Sequence, residues 1–481
     1  MSKKNKLLKY SALVMISLIL LSGIFLVVGT WIYTATGDTE TRYSQNFEHI
    51  AYHDLGGRPG FKMAMQVVDG RWYLYVANFW HRGWTIMDVT DPSAPELKAF
   101  IPGPENTLTV NLQVADGLMI TALEKPVTAL VKHIPLEGFA WLGTEAVSGR
   151  PLIQPGVDNA EGVWVWDVSN PIDPVKIGEW GAGATGTHRN FYAGGDYAWL
   201  AAHKPGFVGH QLVVLDVSDP SKPKEIGAWF DVEQEIAAGL EPEFHGYYHH
   251  GPAHVEGDRA YVPYGVRGAL IMDVSDPRNP SVIGRLNPLP ELGSEQGVHT
   301  FLPLRSRDMA IINTEAHAES CIEEPGKSYM AMVDISDEVN PQILSLFPDP
   351  VVPPDAPYAD FCAMNGRAGV HNQHHHNNQP HLFQSDYLTF ATSFNAGLRL
   401  YDTTDALNVE EIGYFIPPNP GERSGPFPTR MVVQTEDVLV DSRGFAYITQ
   451  KNQGIHIVRA THPMFEQQLA AQRARQIDVS Q

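Results

Sequence analysis

Residues 212–223 read LVVLDVSDPSKP, and the same formula returns five more times. The other copies are TIMDVTDPSAP (85–95), VWVWDVSNPIDP (163–174), ALIMDVSDPRNP (269–280), MAMVDISDEVNP (330–341) and LRLYDTTDALN (398–408). Each begins with about five mostly apolar residues, the pattern of a strand buried on both faces. Each then turns on Asp with Ser or Thr, side chains that bond their own turn, and most add Pro to fix φ. A short second strand follows, as in VKIGEW (175–180), KEIGAWF (224–230), SVIGRL (281–286), QILSLF (342–347) and EEIGYF (410–415). Two more strands precede the formula, as in HRNFYAGGDYAWLAAH (188–203) and HVEGDRAYVPYG (254–265), with Gly-Asp at the hairpin turn. The repeating unit is therefore four antiparallel strands.

The repeated aspartates are 88, 167, 216, 273, 334 and 402. Their spacing suits propeller blades, with insertions in the longer intervals. A seventh unit at 436–459 has three strands and no Asp-Pro turn. FEHIAYHDLGG (47–57) supplies the missing strand from the other end of the chain, which would close the ring and remove exposed edges. The expectation is an all-β, seven-bladed propeller with four-stranded antiparallel blades over 47–460. Blade 2 is the irregular one. A β-sandwich also shows many short strands, but a near-copied hairpin repeated six times does not fit it.

The strands LVVLD and ALIMD followed by VSDP resemble the LVIVD-repeat proteins of bacteria, and the resemblance covers 47–460. It implies the propeller fold and, with the N-terminus described next, a membrane-anchored member. It implies little about activity, because fold does not supply function.

Lys3, Lys4, Lys6 and Lys9 precede an uncharged apolar run over 10–33, long enough to span a bilayer. Trp31 and Tyr33 resemble an interfacial belt, so an uncleaved signal anchor is expected rather than a cleaved signal peptide. The domain reading is then 1–9 in the cytoplasm, 10–33 in the membrane, 34–46 a tether, 47–460 the propeller outside the cytoplasm in a periplasm, and 461–481 a polar C-terminal tail. The chain has 481 residues and a net charge of −21, which disfavours nucleic acid. The two cysteines, Cys321 and Cys362, fall in loops on one face of the ring, where a disulfide is expected.

Function should lie where the copies differ, and the 20 histidines differ most. FHGYYHHGPAH (244–254) and GVHNQHHHNNQPH (369–381) are dense, and GTHRNF (186–191) and GVHTFLP (297–303) carry one each. Against the repeat, His188, His250, His254, His299, His375 and His376 fall at or near the first, innermost strands of blades 3 to 6. They are the expected metal ligands, because neutral imidazole suits Cu, Fe and Zn. His203 and His317 follow second strands and return to the same mouth. With Glu315 they are the expected catalytic groups, in orienting or proton-transfer roles. Lys62, Asn111 and Gln434 are expected to complete the polar rim, and Arg189 and Arg267 to bind a substrate carboxylate. Lone histidines such as His53, His81, His133 and His456 read as surface or packing residues. The insertions at 124–160 and 348–373 are expected to project over the mouth, with Phe139, Trp141 and Tyr358 walling a pocket.

No phosphate loop, nucleophile elbow, zinc-type Cys cluster or HExxH motif occurs. The reading is a metal-dependent enzyme acting on a small organic molecule. An oxidoreductase with Cu or Fe is favoured over a hydrolase with Zn, because no ligand carboxylate stands out. Two other classes fit the same residues: a non-catalytic propeller that binds a partner protein, and a protein that stores or delivers metal through HNQHHHNNQPH.

Overall fold

In the computed structural model, the residues described are 39–125, 159–239, 248–294, 296–316, 328–422, 424 and 430–479, with no side-chain description for 476–479. Seven four-stranded antiparallel sheets form a ring. Blade 1 is Met63–Val68, Arg71–Ala77, Gly83–Asp88 and Glu96–Pro102. Blade 2 is Leu112–Ala115, Leu118–Leu123, Gly162–Asp167 and Val175–Trp180. Blade 3 is Gly186–Phe191, Tyr197–His203, Gln211–Asp216 and Lys224–Trp229. Blade 4 is His254–Glu256, Arg259–Pro263, Ala269–Asp273 and Ser281–Leu286. Blade 5 is Val298–Leu304, Met309–Thr314, Met330–Asp334 and Gln342–Leu346.

Blades 6 and 7 depart from the pattern. Blade 7 is Thr435–Val440, Phe445–Gln450 and Gln453–Ala460, completed by Phe47–His53 from the N-terminal side as expected. Blade 6 is Leu388–Thr392, Leu398–Asp402 and Glu410–Ile416, with Tyr43–Gln45 added outside Glu410–Ile416. Its innermost strand is reduced to a bridge between Gln373 and Ala391, so the histidine-rich segment replaces a regular strand there.

The repeated turn closes as its chemistry demands. Asp216 accepts hydrogen bonds from the Ser218 backbone N–H at 3.0 Å and hydroxyl at 2.6 Å. Asp88, Asp167, Asp273, Asp334 and Asp402 each accept from the backbone N–H two residues on. The glycines of the outer strands have a packing reason. A Cβ on Gly178, Gly227 or Gly284 would overlap a carbonyl oxygen in the next blade's turn, at Pro220, Pro277 and Glu338 respectively. The apolar core lies mainly in layers between adjacent blades. Tyr75 and Trp84 of blade 1 pack with Met119 and Trp166 of blade 2, and Leu200 and Val213 of blade 3 pack with Ile120 and Val163 of blade 2. Burying each such large side chain contributes about 1.5–3 kcal/mol.

The C-terminal segment, read as a polar tail, forms a helix over Pro463–Val479. Phe465 and Leu469, one turn apart, are buried against blades 6 and 7. Gln472, nearly a turn further, donates to Leu382 O and accepts from Gln384 N.

One expectation is corrected. Among the described residues no helix is long and apolar enough to cross a membrane, which counts against a single-pass membrane protein. The long C-terminal helix is too polar for that role, and the run 10–33 that prompted the expectation lies outside the described residues.

Candidate metal centre

Bulges in the innermost strands set the histidines. In blade 3, Thr187 pairs with Ala202 and Arg189 with Ala201, which leaves His188 out of the ladder. In blade 5, Val298 pairs with Thr314 and Thr300 with Asn313, which leaves His299 in the same position. In blade 7, the ladder skips from Thr435 to Val438 and leaves Glu436 and Asp437. In blade 6, His371 N donates to Thr392 O and Thr392 N donates to Asn372 O, which places His371 at that level. Such bulges re-aim a side chain. His250 joins them from the segment entering blade 4.

A second level comes from the end of each second strand or the residue just after it. Leu118 pairs with Asp167 and Met309 with Asp334, and six residues on stand Glu124 and Glu315. The same count from Tyr197, paired with Asp216, reaches His203. Lys451 follows the second strand of blade 7.

Glu315 is the hub. Its Oε2 is 3.1 Å from His250 Nε2 and 3.7 Å from His299 Nε2. Its Oε1 is 3.0 Å from Arg367 Nη1 and 3.5 Å from His371 Nε2. One ligand atom from each of His250, His299 and Glu315 lies within 4.8 Å of the others. The Nε2 atoms of His299 and His371 are buried without a hydrogen bond.

The far side of each ring is held. His299 Nδ1 is 3.0 Å from Thr300 Oγ1, and His371 Nδ1 is 3.1 Å from Glu436 O and 2.9 Å from Glu436 Oε2. Two Glu436 oxygens, which only accept, face His371 Nδ1 beside the Asn372 Nδ2 amide at 3.1 Å, so the hydrogen is assigned to Nδ1 and the lone pair to Nε2. Lys451 Nζ, 2.8 Å from Glu436 Oε1, completes that chain.

Burial pushes the imidazoles of His250, His299 and His371 below their ordinary value, and nearby Glu315 only partly opposes it. Burial would raise the Glu315 carboxyl, but His371, His250 and His299 hold it well below the usual range. The centre therefore combines neutral imidazoles with an ionised carboxylate, the protonation state a metal requires.

Of the expected ligands, His250 and His299 come together here. His188 stacks on His250 with ring centroids 4.4 Å apart, but its Nδ1 is committed to Glu124 at 2.7 Å, and it is not in the ligand group. His254, His375 and His376 are not part of this centre, and lie further along the channel. The segment that starts at His371 runs down the channel and crosses its far end. Asn377 Nδ2 donates to Gln113 Oε1 of blade 2, Gln379 Nε2 to Ala193 O of the blade 3 hairpin, and His381 bonds Met65 O of blade 1. Leu382 bridges Asp441 of blade 7. At that end Glu256, His375 and His376 form a second ligand group.

Among the expected catalytic groups, Glu315 is at the centre, as a neighbour of the ligand nitrogens rather than a remote orienting group. His203 does not join the centre: its Nδ1 bonds Thr185 Oγ1 at 2.8 Å and its Nε2 bonds Phe207 O at 2.9 Å, so both nitrogens are used locally. His317 lies outside the described residues, as do Phe139, Trp141, Cys321 and most of the 124–160 insertion. Cys362 sits in the short turn Phe361–Met364. Arg267 is ion-paired with Asp231 at 3.1 Å and Glu233 at 3.5 Å, a structural role. Lys62 is paired with Asp437 at 2.6 Å, and Gln434 accepts from Arg367 N.

The sequence reading missed Glu124, Arg367, His371 and Glu436. Glu124 was findable, since it holds the register position of Glu315. His371 was quoted within its segment but passed over for the denser triplet beside it.

Residues 65–100, 186–230 and 253–287 match the LVIVD repeat. No curated protein matches the chain. Among solved structures, the RRP9 WD40 repeats align over 89% of this chain and 98% of theirs, with 9% identity and a TM-score of 0.49. The computationally designed Ika8 protein aligns over 85% and 98%, with 8% identity and a TM-score of 0.43. Saccharomyces cerevisiae Sqt1 aligns over 85% and 98%, with 8% identity and a TM-score of 0.44.

Proposed function

We propose that this propeller with LVIVD repeats is a metal-dependent enzyme whose metal is held by His250, His299 and Glu315, with His371 beside them. The observation that carries the reading is the buried ligand group itself, with three donors within 4.8 Å of one another. Two imidazoles and one carboxylate suit Fe(II) or Zn. The preference for copper or iron rested on an all-histidine site, and Glu315 removes that basis. An oxidoreductase with iron is favoured over a hydrolase with zinc because two histidines and one carboxylate are the ligand set of non-haem Fe(II) oxygenases. When bound, such a metal supplies redox or Lewis-acid chemistry.

The chain's own residues suggest the substrate class. Arg189 is 1% exposed, its Nε and Nη1 make no hydrogen bond, and its guanidinium lies over the Phe61 ring at 5.3 Å. Around it Glu124, Glu315, Glu436 and Asp437 offset Lys62, Arg189, Arg367 and Lys451. A dication makes this balance positive, and a small carboxylate on Arg189 offsets part of that excess. His188, backed by Glu124, is placed to take or give a proton at its Nε2.

A Cys321–Cys362 disulfide belongs to the same proposal. Its support is that the chain has only these two cysteines and that no free thiol occurs among the described residues.

Elemental analysis of the purified full chain tests the reading. His299→Ala should lose one metal equivalent that the wild type holds. Unchanged metal content would overturn it in favour of a propeller that binds a partner protein.

A further inference from the structure

The far end of the channel has chemistry the proposed centre does not use. His375 has a side chain 7% exposed, and its Nε2 is buried without a hydrogen bond and lies 3.7 Å from Glu256 Oε1. The His375 and His376 rings are 4.6 Å apart, and one donor atom from each of Glu256, His375 and His376 lies within 4.8 Å of the others. His254 stands alongside, its ring 4.5 Å from that of His375. Its Nδ1 is 3.0 Å from Phe301 O, which only accepts, so its Nε2 keeps a lone pair. The cation facing Glu256 is Arg305, 3.7 Å away on a side chain 45% exposed, a weak competitor for the carboxylate.

A cavity of about 30 Å³ lies beside this group, on the His254 and His375 side and not against Glu256 or His376. Every blade contributes to its wall, from Lys62 of blade 1 and Gln113 of blade 2 to Asp437 of blade 7, so it sits on the ring axis. His254 and His375 line it. Its size suits one ion or one water, not an organic molecule. His254 pairs with Tyr261 at the level where Phe191 pairs with Trp199, three residues along the strand from His188. At strand rise, that is about 10 Å from the upper centre.

We infer that Glu256, His375 and His376, with His254 on the axial side, form a second transition-metal site that staples the channel-crossing segment to blade 4. Imidazole-rich donors select Zn, Cu or Ni. The segment is held to blades 1, 2, 3 and 7 by hydrogen bonds, and a metal would add blade 4: Asn377 and Asn378 hold left-handed backbone, with φ of 45° and 56°, and the turn they form carries His375 and His376 to Glu256. A closed site of this kind contributes directly to folding.

The test is titration of the chelator-stripped full chain with Co(II), read by d–d absorption and by melting temperature. Two equivalents are expected. His375→Ala and Glu256→Gln should each remove or weaken one by at least about tenfold and abolish its part of the thermal stabilisation, while His299→Ala removes the other. Should His375→Ala fail to fold, Glu256→Gln decides alone, because that side chain is at the rim. One equivalent that Glu256→Gln removes and His299→Ala leaves would support this site and overturn the upper one. Cobalt binding unchanged by Glu256→Gln would overturn this site whatever the upper one does.

Discussion

Glu124 of blade 2 and Glu315 of blade 5 occupy one register position, each the first residue beyond the second strand of its blade, and each meets an imidazole from an adjacent blade. Glu124 meets His188 at 2.7 Å and Glu315 meets His250 at 3.1 Å. They differ in company. Glu315 also reaches His299, His371 and Arg367, whereas the other imidazole facing Glu124 is His210, 3.5 Å away. The propeller places like groups at like heights, and the neighbouring blades decide which becomes a ligand.

Glu315→Gln should therefore abolish metal binding at the upper centre, whereas Glu124→Gln should leave the number of equivalents unchanged. Glu315→Ala also removes the buried carboxylate that pairs with Arg367 and faces three imidazoles, and should cost about 3 kcal/mol of stability. Urea unfolding in chelator, beside metal analysis, separates the two effects.

Glu436 orients His371, whose Nε2 is 3.5 Å from Glu315 Oε1, and so acts on the ligand carboxylate through His371. Groups of that kind typically change metal affinity 10–100-fold when removed. Glu436→Gln should weaken cobalt binding at the upper centre by about tenfold or more, and leave the far-end site untouched. Competition with a chromophoric chelator measures both constants.

Gly251 lies where blade 4 approaches blade 5. Any Cβ there would overlap His299 O. Gly251→Ala should push the His299 backbone aside, lower the melting temperature and weaken the upper metal, although residue 251 offers no ligand. Normal metal affinity in a folded Gly251→Ala protein would show that the position of His299 is not critical.

Burial holds His188, His249 and His374 at about 3, against 6.5 in an open chain. They stay neutral when folded and take protons when unfolded, so stability present above pH 6.5 is lost as the pH falls towards 3. Between pH 6.5 and 5 the loss is about 2 kcal/mol per group as an upper limit. The lowered carboxyls of Glu124 and Glu315 act with the same sign at lower pH. The urea midpoint of the metal-free protein should therefore be clearly lower at pH 5 than at pH 7.5.

The ring was legible because its signal is repeated and local: Asp216 and Ser218 close a turn within three residues, and five further copies do the same. Closure by Phe47–His53 was legible because Gln453–Ala460 lacked an outer partner. The site was legible only as a set of heights. His188 and His299 could be aligned, but whether each ring met Glu124, Glu315 or its own backbone depended on bulges that a sequence does not display. His203 stands outside the centre for that reason, since Thr185 and Phe207 lie close enough to take both its nitrogens. The segment at 371–381 misled because density of histidine suggested one site, while its path down the channel divides His371 from His375 and His376. The C-terminal helix was hidden because Phe465 and Leu469 make so narrow an apolar stripe.

The most direct measurement of the central claim is anomalous X-ray scattering from a crystal of the metal-reconstituted protein, collected at the metal's absorption edge. The account predicts a peak about 2.0–2.2 Å from a nitrogen of His250, a nitrogen of His299 and an oxygen of Glu315. A fully reconstituted crystal with no peak among those three residues would contradict it.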